Sequence, residues 1–191
     1  AWGGDRLGLY YLERGASQRP SKVIYDRKHT AISEADPSDF NWDEIFADAA
    51  WFHFTGITVA LSENLRKICE MACIAAKRHG VKVSCDLNYR KTLWSVEEAQ
   101  AAMKPLMAYV DVLIANEEDA EKSLGVKAEN TDVVQGKLSV DGYRVLAEKL
   151  TAQYAFEMVA FTLRESVSAS VNNWSALLCC GGQAYVSKKY T

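Results

Sequence analysis

The apolar positions change period several times along the chain. Leu7, Leu9 and Tyr11 alternate with Gly8, Tyr10 and Leu12, polar Glu13-Arg14-Gly15-Ala16-Ser17 follows, and Val23-Ile24-Tyr25 resumes an apolar run. Period two around a charged connection predicts two extended strands, a small flap rather than a helix. After the turn residues Asp36-Pro37-Ser38-Asp39 a short helix is expected over 41–49. Trp51-Phe52-His53-Phe54-Thr55 then reads as a buried strand stopping at Gly56. That glycine suits either a strand-end turn or close approach of the backbone to a ligand.

From residue 62 the period lengthens. Leu65, Ile68, Cys69, Ala72 and Ala76 mark one helical face, Lys77-Arg78-His79 the last turn and Gly80 the stop, before a strand at 81–85. Ser95 and Glu98 form a capping-box pattern ahead of Ala99, Ala102, Met103, Leu106 and Met107, a helix that Pro105 should kink or loosen for want of an amide donor. A strand follows at 111–115, then a helix capped by Asn116 and ended after Leu124 by Gly125. Tyr143, Leu146, Ala147, Leu150 and Tyr154 carry a further helical stripe, and 156–162 returns to strand. Val167, Ala169 and Val171 alternate, Asn172-Asn173 suits a turn, and Gly181-Gly182 suits a hairpin between 174–180 and 183–190. Strands alternating with helices predict an α/β fold on a parallel sheet, with an antiparallel edge at the end.

Composition narrows the class. An apolar content of 49% with 25% charged residues describes an ordinary globular chain of 191 residues. Its 22 basic and 25 acidic residues leave a net charge of -3, which gives no general attraction to nucleic acid or an anionic membrane, so any anion site must be local. No apolar run approaches the length of a membrane span. Five cysteines without a Cys-x-x-Cys pair, and no visible signal peptide, point to a reduced, cytoplasmic protein. Cys69 and Cys73 share a helical face, as core residues or as half a metal site. The abrupt start at Ala1-Trp2 and the stop at Lys189-Tyr190-Thr191 within a strand region suggest a piece of something longer.

A sugar acid offers hydroxyls and a carboxylate, and its recognition needs rigid hydroxyl donors and a bidentate cation. Tyr11, Tyr25, Arg27 and Arg90 meet that demand, although Arg27 and Arg90 are equally explained as surface ion pairs. The run Gly8-Leu9-Tyr10-Tyr11-Leu12 with Tyr25-Asp26-Arg27 resembles the lid of pfkB (ribokinase-like) sugar kinases, above all of those acting on 2-keto-3-deoxygluconate. Asp86-Leu87-Asn88-Tyr89-Arg90 resembles the family's Asp-x-Asn-x-Arg segment after a parallel strand, where open α/β sheets place ligands. Asn116-Glu117-Glu118-Asp119 resembles its Asn-x-x-Glu motif, with Asp in place of the final Glu, and Thr162-Leu163-Arg164 the segment that approaches nucleotide phosphate.

This resemblance runs the length of the chain. It implies a ribokinase-like, Rossmann-type three-layer α/β/α sandwich with a β-sheet lid, present as a partial fold: lid and connection at 1–35, and the central part of the kinase domain at 36–191. It assigns Tyr11, Tyr25, Arg27, Ile57, Asn88 and Arg90 to the sugar acid, with Tyr10 packing on the opposite side. Asn116, Thr162 and Arg164 go to ATP, and Glu118 or Asp119 to Mg2+. Asn116 and Asp119 are also explained as a helix cap, and Asp86 either organises its loop or touches substrate. The implied reaction moves the γ-phosphoryl of ATP to the terminal hydroxyl of 2-keto-3-deoxygluconate. The family's Gly-Gly-x-x-Asn segment and its Gly-Ala-Gly-Asp segment, which supplies the anion hole and the catalytic Asp, do not occur in these residues, so the isolated segment is expected to be inactive. Alternatives are a fructokinase-like enzyme, whose neutral substrate has no need of two arginines, and a noncatalytic sugar-binding module. A homodimer through the lid is the expected assembly, with no nucleic-acid or membrane partner.

Overall fold

The computed structural model describes residues 3–16, 19–128, 140–168 and 171–191. Strands β1 (Leu9–Glu13) and β2 (Lys22–Asp26) form an antiparallel two-stranded sheet of their own. A second sheet has six strands in sequential order, β3 (Trp51–Thr55), β4 (Lys82–Asp86), β5 (Val112–Ala115), β6 (Met158–Ser166), β7 (Asn172–Cys180) and β8 (Gln183–Val186). The first four run parallel and the last two antiparallel. Helices α1 (Trp42–Ile45), α2 (Gly56–Leu61), α3 (Glu63–Arg78), α4 (Val96–Leu106), α5 (Glu117–Leu124) and α6 (Val140–Tyr154) supply the connections.

The sequence punctuation acts where it stands. Ser62 accepts a hydrogen bond from the Leu65 amide to start α3, and Ser95 and Glu98 complete the expected capping box of α4. Asn116 caps α5, which Gly125 ends in the left-handed region. Pro105 lies in the last turn of α4, where its missing amide lets the chain tighten into a 3-10 turn at Met107–Tyr109 rather than kink mid-helix. Gly181 and Gly182 both have positive φ, as the two-residue hairpin joining β7 to β8 requires.

One core holds these parts together. Phe54, Val83, Cys85, Leu113, Ala115, Val159, Phe161 and Leu177 point to one face of the sheet and meet Val59, Cys69, Ala72, Cys73, Met103, Leu124, Leu146 and Leu150 from α2 to α6. Cys69 and Cys73 are thus core residues, and burial pushes both thiols up to about 12. Among the described residues no group of three or more His, Cys, Asp or Glu side chains is placed to hold a metal ion, and no helix is long and apolar enough to cross a membrane. On the sheet's other face Trp51, His53, Ile114, Ala160, Leu178 and Tyr185 keep more exposure. There the buried Ser84 hydroxyl is satisfied by Trp51 Nε1 and His53 Nδ1, both at 2.8 Å.

Three expectations need correcting. Asn172 and Asn173 are not a turn: they open β7, opposite Ser166 and Glu165, and the reversal is made by backbone bonds from Val167 and Ser168 to Val171. Ala169 lies outside the described residues. The helix expected over 41–49 is a single turn, capped by Asn41 and ended at Phe46. Gly56 is not a strand-end turn; it is the first residue of α2, and a Cβ there would lie 2.2 Å from the Leu87 carbonyl oxygen. Gly56→Ala is therefore expected to cost about 2–3 kcal/mol through forced displacement of the backbone, read as a lower urea midpoint with an unchanged m-value.

Candidate functional site

Parallel strands bring their C-terminal ends to one edge of the sheet, and most of the sequence-predicted residues meet there. Thr55 ends β3 and caps α2, accepting the Ile57 amide at 3.4 Å; the same hydroxyl accepts from Asn88 Nδ2 at 3.4 Å. Ile57 and Asn88 are joined through that one oxygen. Asn88 takes φ of +41°, a left-handed conformation that Asn tolerates better than most residues and that turns the chain sharply after β4. The close Gly56–Leu87 approach seats this turn on the start of α2.

The turn is fastened from the other side by α5. Asn116 Oδ1 accepts the Asp119 amide at 2.7 Å, and Asp119, only 7% exposed, accepts the Tyr89 amide at 3.0 Å. The three consecutive acids therefore have different fates. Glu117 accepts the Tyr143 hydroxyl at 2.7 Å, Glu118 is exposed, and Asp119 is buried against the loop that carries Arg90. The capping reading of Asn116 holds, and of Glu118 and Asp119 only Asp119 faces the other candidates.

Electrostatics concentrate at this edge. Burial pushes the Asp119 carboxyl up to about 6 and the neighbouring Asp86 charge adds to that, while the Tyr89 amide and the Arg90 guanidinium work against it. Burial also raises Asp86, opposed by the Asn88 amide and by the His53 and Arg90 charges. Arg90 itself is exposed and donates to the Tyr89 carbonyl at 2.8 Å. Two desolvated carboxyls of mutually unfavourable charge are a setting that a hydrated divalent cation relieves, so Asp119 and Asp86 fit the chemistry of a Mg2+ site reached through water.

Thr162 and Arg164 lie farther along the same edge. The β5–β6 register ends with Ala115 opposite Phe161, so Thr162 and Arg164 project past the parallel sheet, supported only by β7. Arg164 donates to Asn172 Oδ1 at 3.0 Å and lies 5.6 Å from the Trp174 ring centre.

In the two-stranded sheet, register decides which side chains act together. Tyr10 pairs with Tyr25 and Leu12 with Val23 on one face; Leu9 pairs with Asp26 and Tyr11 with Ile24 on the other. Arg27 lies over the Tyr25 ring at 4.2 Å, and Tyr10 tilts against Tyr25 with centroids 6.4 Å apart. The structure thus gathers Tyr10, Tyr25 and Arg27 and puts Tyr11 behind them. Alternation alone separated Tyr10 from Tyr11; only the pairing of β1 with β2 shows which of them joins Tyr25.

Comparison with known proteins places this geometry. The profile of the pfkB family carbohydrate kinases matches residues 3–165. The chain belongs to the pfkB family of carbohydrate kinases. It is 39% identical over 166 residues to a 2-dehydro-3-deoxygalactonokinase of Haloferax volcanii, covering 86% of this chain and 48% of that protein. A 2-dehydro-3-deoxygluconokinase of Thermoproteus tenax is 31% identical over 156 residues, covering 80% of this chain and 46% of that one. The crystal structure of a 2-dehydro-3-deoxygluconokinase from Thermotoga maritima superposes with a TM-score of 0.90 at 53% identity, over 98% of this chain and 55% of that chain. The chain therefore spans about half the length of these relatives. A fructokinase from Xylella fastidiosa with bound ATP, 15% identical at a TM-score of 0.63, shares the fold. The α/β architecture, with its central parallel-rich sheet, is that of ribokinase-like proteins over the part this chain covers.

The buried Asp119 carries a pH signature. Its folded value near 6 exceeds the ordinary 3.8, so the native state holds this proton more tightly than the unfolded chain. That contribution to stability is complete below about pH 4 and is lost as the pH rises through 6. Asp119→Asn keeps an oxygen for the Tyr89 amide and removes the buried charge. It is expected to raise stability at pH 8 by on the order of 1–2 kcal/mol, within the ceiling of about 3 kcal/mol set by the shift, with the gain vanishing near pH 4 in urea titrations.

Proposed function

We propose that the whole protein containing these residues is an ATP-dependent sugar-acid kinase, transferring the γ-phosphoryl group to the terminal hydroxyl of 2-keto-3-deoxygluconate or its close epimer. The observation that carries this is the stacked Arg27–Tyr25 pair with Tyr10 beside it, opposite in kind to a neutral sugar site. A guanidinium held over a ring can still offer its planar fork to a carboxylate. Arg90 offers a second positive group at the sheet edge, next to Asn88 and Ile57. The names of the relatives, gluconokinase and galactonokinase of 2-dehydro-3-deoxy sugars, agree with a sugar acid.

In this reading Tyr10, Tyr25 and Arg27 bind the sugar acid from the lid; Tyr11 stays outside the site. Asn88, Arg90 and Ile57 bind it from the edge of the sheet. Thr162 and Arg164 approach the nucleotide phosphates, Asn116 orders the start of α5, and Asp119 with Asp86 holds the water shell of Mg2+. The cation supplies charge neutralisation for the transferred phosphoryl group. The 191 residues alone provide recognition groups but no base for the sugar hydroxyl, so the segment by itself is expected to bind and not to phosphorylate. The lid's exposed apolar strands favour a homodimer formed by pairing two lids, and a cytoplasmic setting suits five free thiols.

The test is a substrate comparison in the full-length protein. Arg27→Gln is expected to lower kcat/KM for 2-keto-3-deoxygluconate by roughly 30–100-fold, the value of a charge-assisted pair, with little change for fructose. Tyr10→Phe should cost roughly 3–10-fold and Tyr11→Phe nothing measurable. A wild-type preference for fructose would favour the fructokinase-like alternative, and sugar binding without any phosphorylation by the full chain would favour a noncatalytic module.

A further inference from the structure

The neck of the lid carries a set of contacts that the sugar and nucleotide sites leave unused. Arg6 stands where the chain enters the lid, and residues 26–31 where it leaves. The Arg6 guanidinium grips Asp26 with two parallel bonds, Nη1 to Oδ2 at 2.9 Å and Nη2 to Oδ1 at 2.6 Å, and Nη2 also donates to the Lys28 carbonyl at 2.5 Å. Its own carbonyl accepts the Ala31 amide at 2.8 Å. Thr30, 1% exposed, donates its hydroxyl to the Arg27 carbonyl at 3.0 Å. Residues 26, 27 and 28 are each pinned, two by Arg6 and one by Thr30. Asp26 points to the Leu9–Tyr11 face, so the clamp closes behind the ribbon and leaves the Arg27 side chain on the face of Tyr25.

We propose that Arg6 and Asp26 are positioning residues for sugar-acid recognition: their ion pair fixes the backbone from which Arg27 presents its guanidinium, and neither touches the ligand. This rests on the sugar-acid reading above. Geometry favours such a role over general stability. The pair is partly exposed, where an ion pair contributes little to folding, yet it is bidentate and joins both crossings between lid and body. Arg27 has a long, flexible side chain, and a carboxylate contact made from a backbone that wanders by an ångström loses most of its advantage.

The experiment uses the 191-residue chain, with calorimetric titration of 2-keto-3-deoxygluconate and amide hydrogen exchange measured on the same samples. Asp26→Asn is expected to weaken binding roughly 5–10-fold and to speed exchange at the Ala31 amide, while the urea midpoint stays unchanged. The double variant Arg6→Asp with Asp26→Arg restores the pair in reverse and should recover binding to within roughly threefold. A purely structural role predicts a lowered midpoint and no such recovery. Unchanged affinity in Asp26→Asn overturns the proposal. Should the wild-type chain show no affinity for the sugar acid, the sugar-acid reading fails for this chain; exchange at Ala31 then decides the clamp, which stands if Asp26→Asn loses protection there and falls if it does not.

Discussion

The hydrogen bond from the Tyr89 amide to the buried Asp119 carboxylate is the contact on which the sheet-edge site depends. The loop after β4 must turn at once, because Asn88 adopts a left-handed conformation and Leu87 is pressed against the glycine that begins α2. A turn of this kind has no ladder partners, so its amides need acceptors from elsewhere. Asp119 provides one, and is itself placed by the Asn116 cap one turn back. Arg90 follows directly, so the backbone that carries its guanidinium is placed by a carboxylate on α5. The cost is the burial of a charge, visible in a carboxyl raised to about 6. A left-handed residue and a desolvated acid thus occur together at this edge, a combination in which functional sites are enriched.

Much of this was legible in the sequence because the determining interactions are local. Ser95 with Glu98, Asn116 with Asp119, and Gly125 each act within four residues, and a cap needs no knowledge of the rest of the fold. The period of the apolar positions likewise fixed which face of α3 is buried. What was not legible is what depends on partners far along the chain. The strand pairing that groups Tyr10 with Tyr25 requires the register across the 13–22 connection, and a shift of one residue would have grouped Tyr11 instead. Asn172-Asn173 has the composition of a turn, but the length of β6 demands partners out to Ser166 and draws both asparagines into the ladder. Gly56 was visible as special, yet only the position of Leu87 shows why.

On the proposed sugar-acid reading, the lid and the sheet edge would answer different halves of one electrostatic problem. The chain is net acidic, and Asp86 and Asp119 make the edge locally more so. An anionic sugar approaching that edge would meet repulsion that Arg90 offsets from an exposed position where water screens it. Arg27 brings the second cation on a separate ribbon, with its guanidinium over the Tyr25 ring. Closing the ribbon would then remove water from the carboxylate and both guanidinium groups together, when their mutual attraction is strongest. A neutral sugar would give no comparable return for bringing Arg27 down, so on the proposed sugar-acid reading lid closure would itself be a step that discriminates by charge.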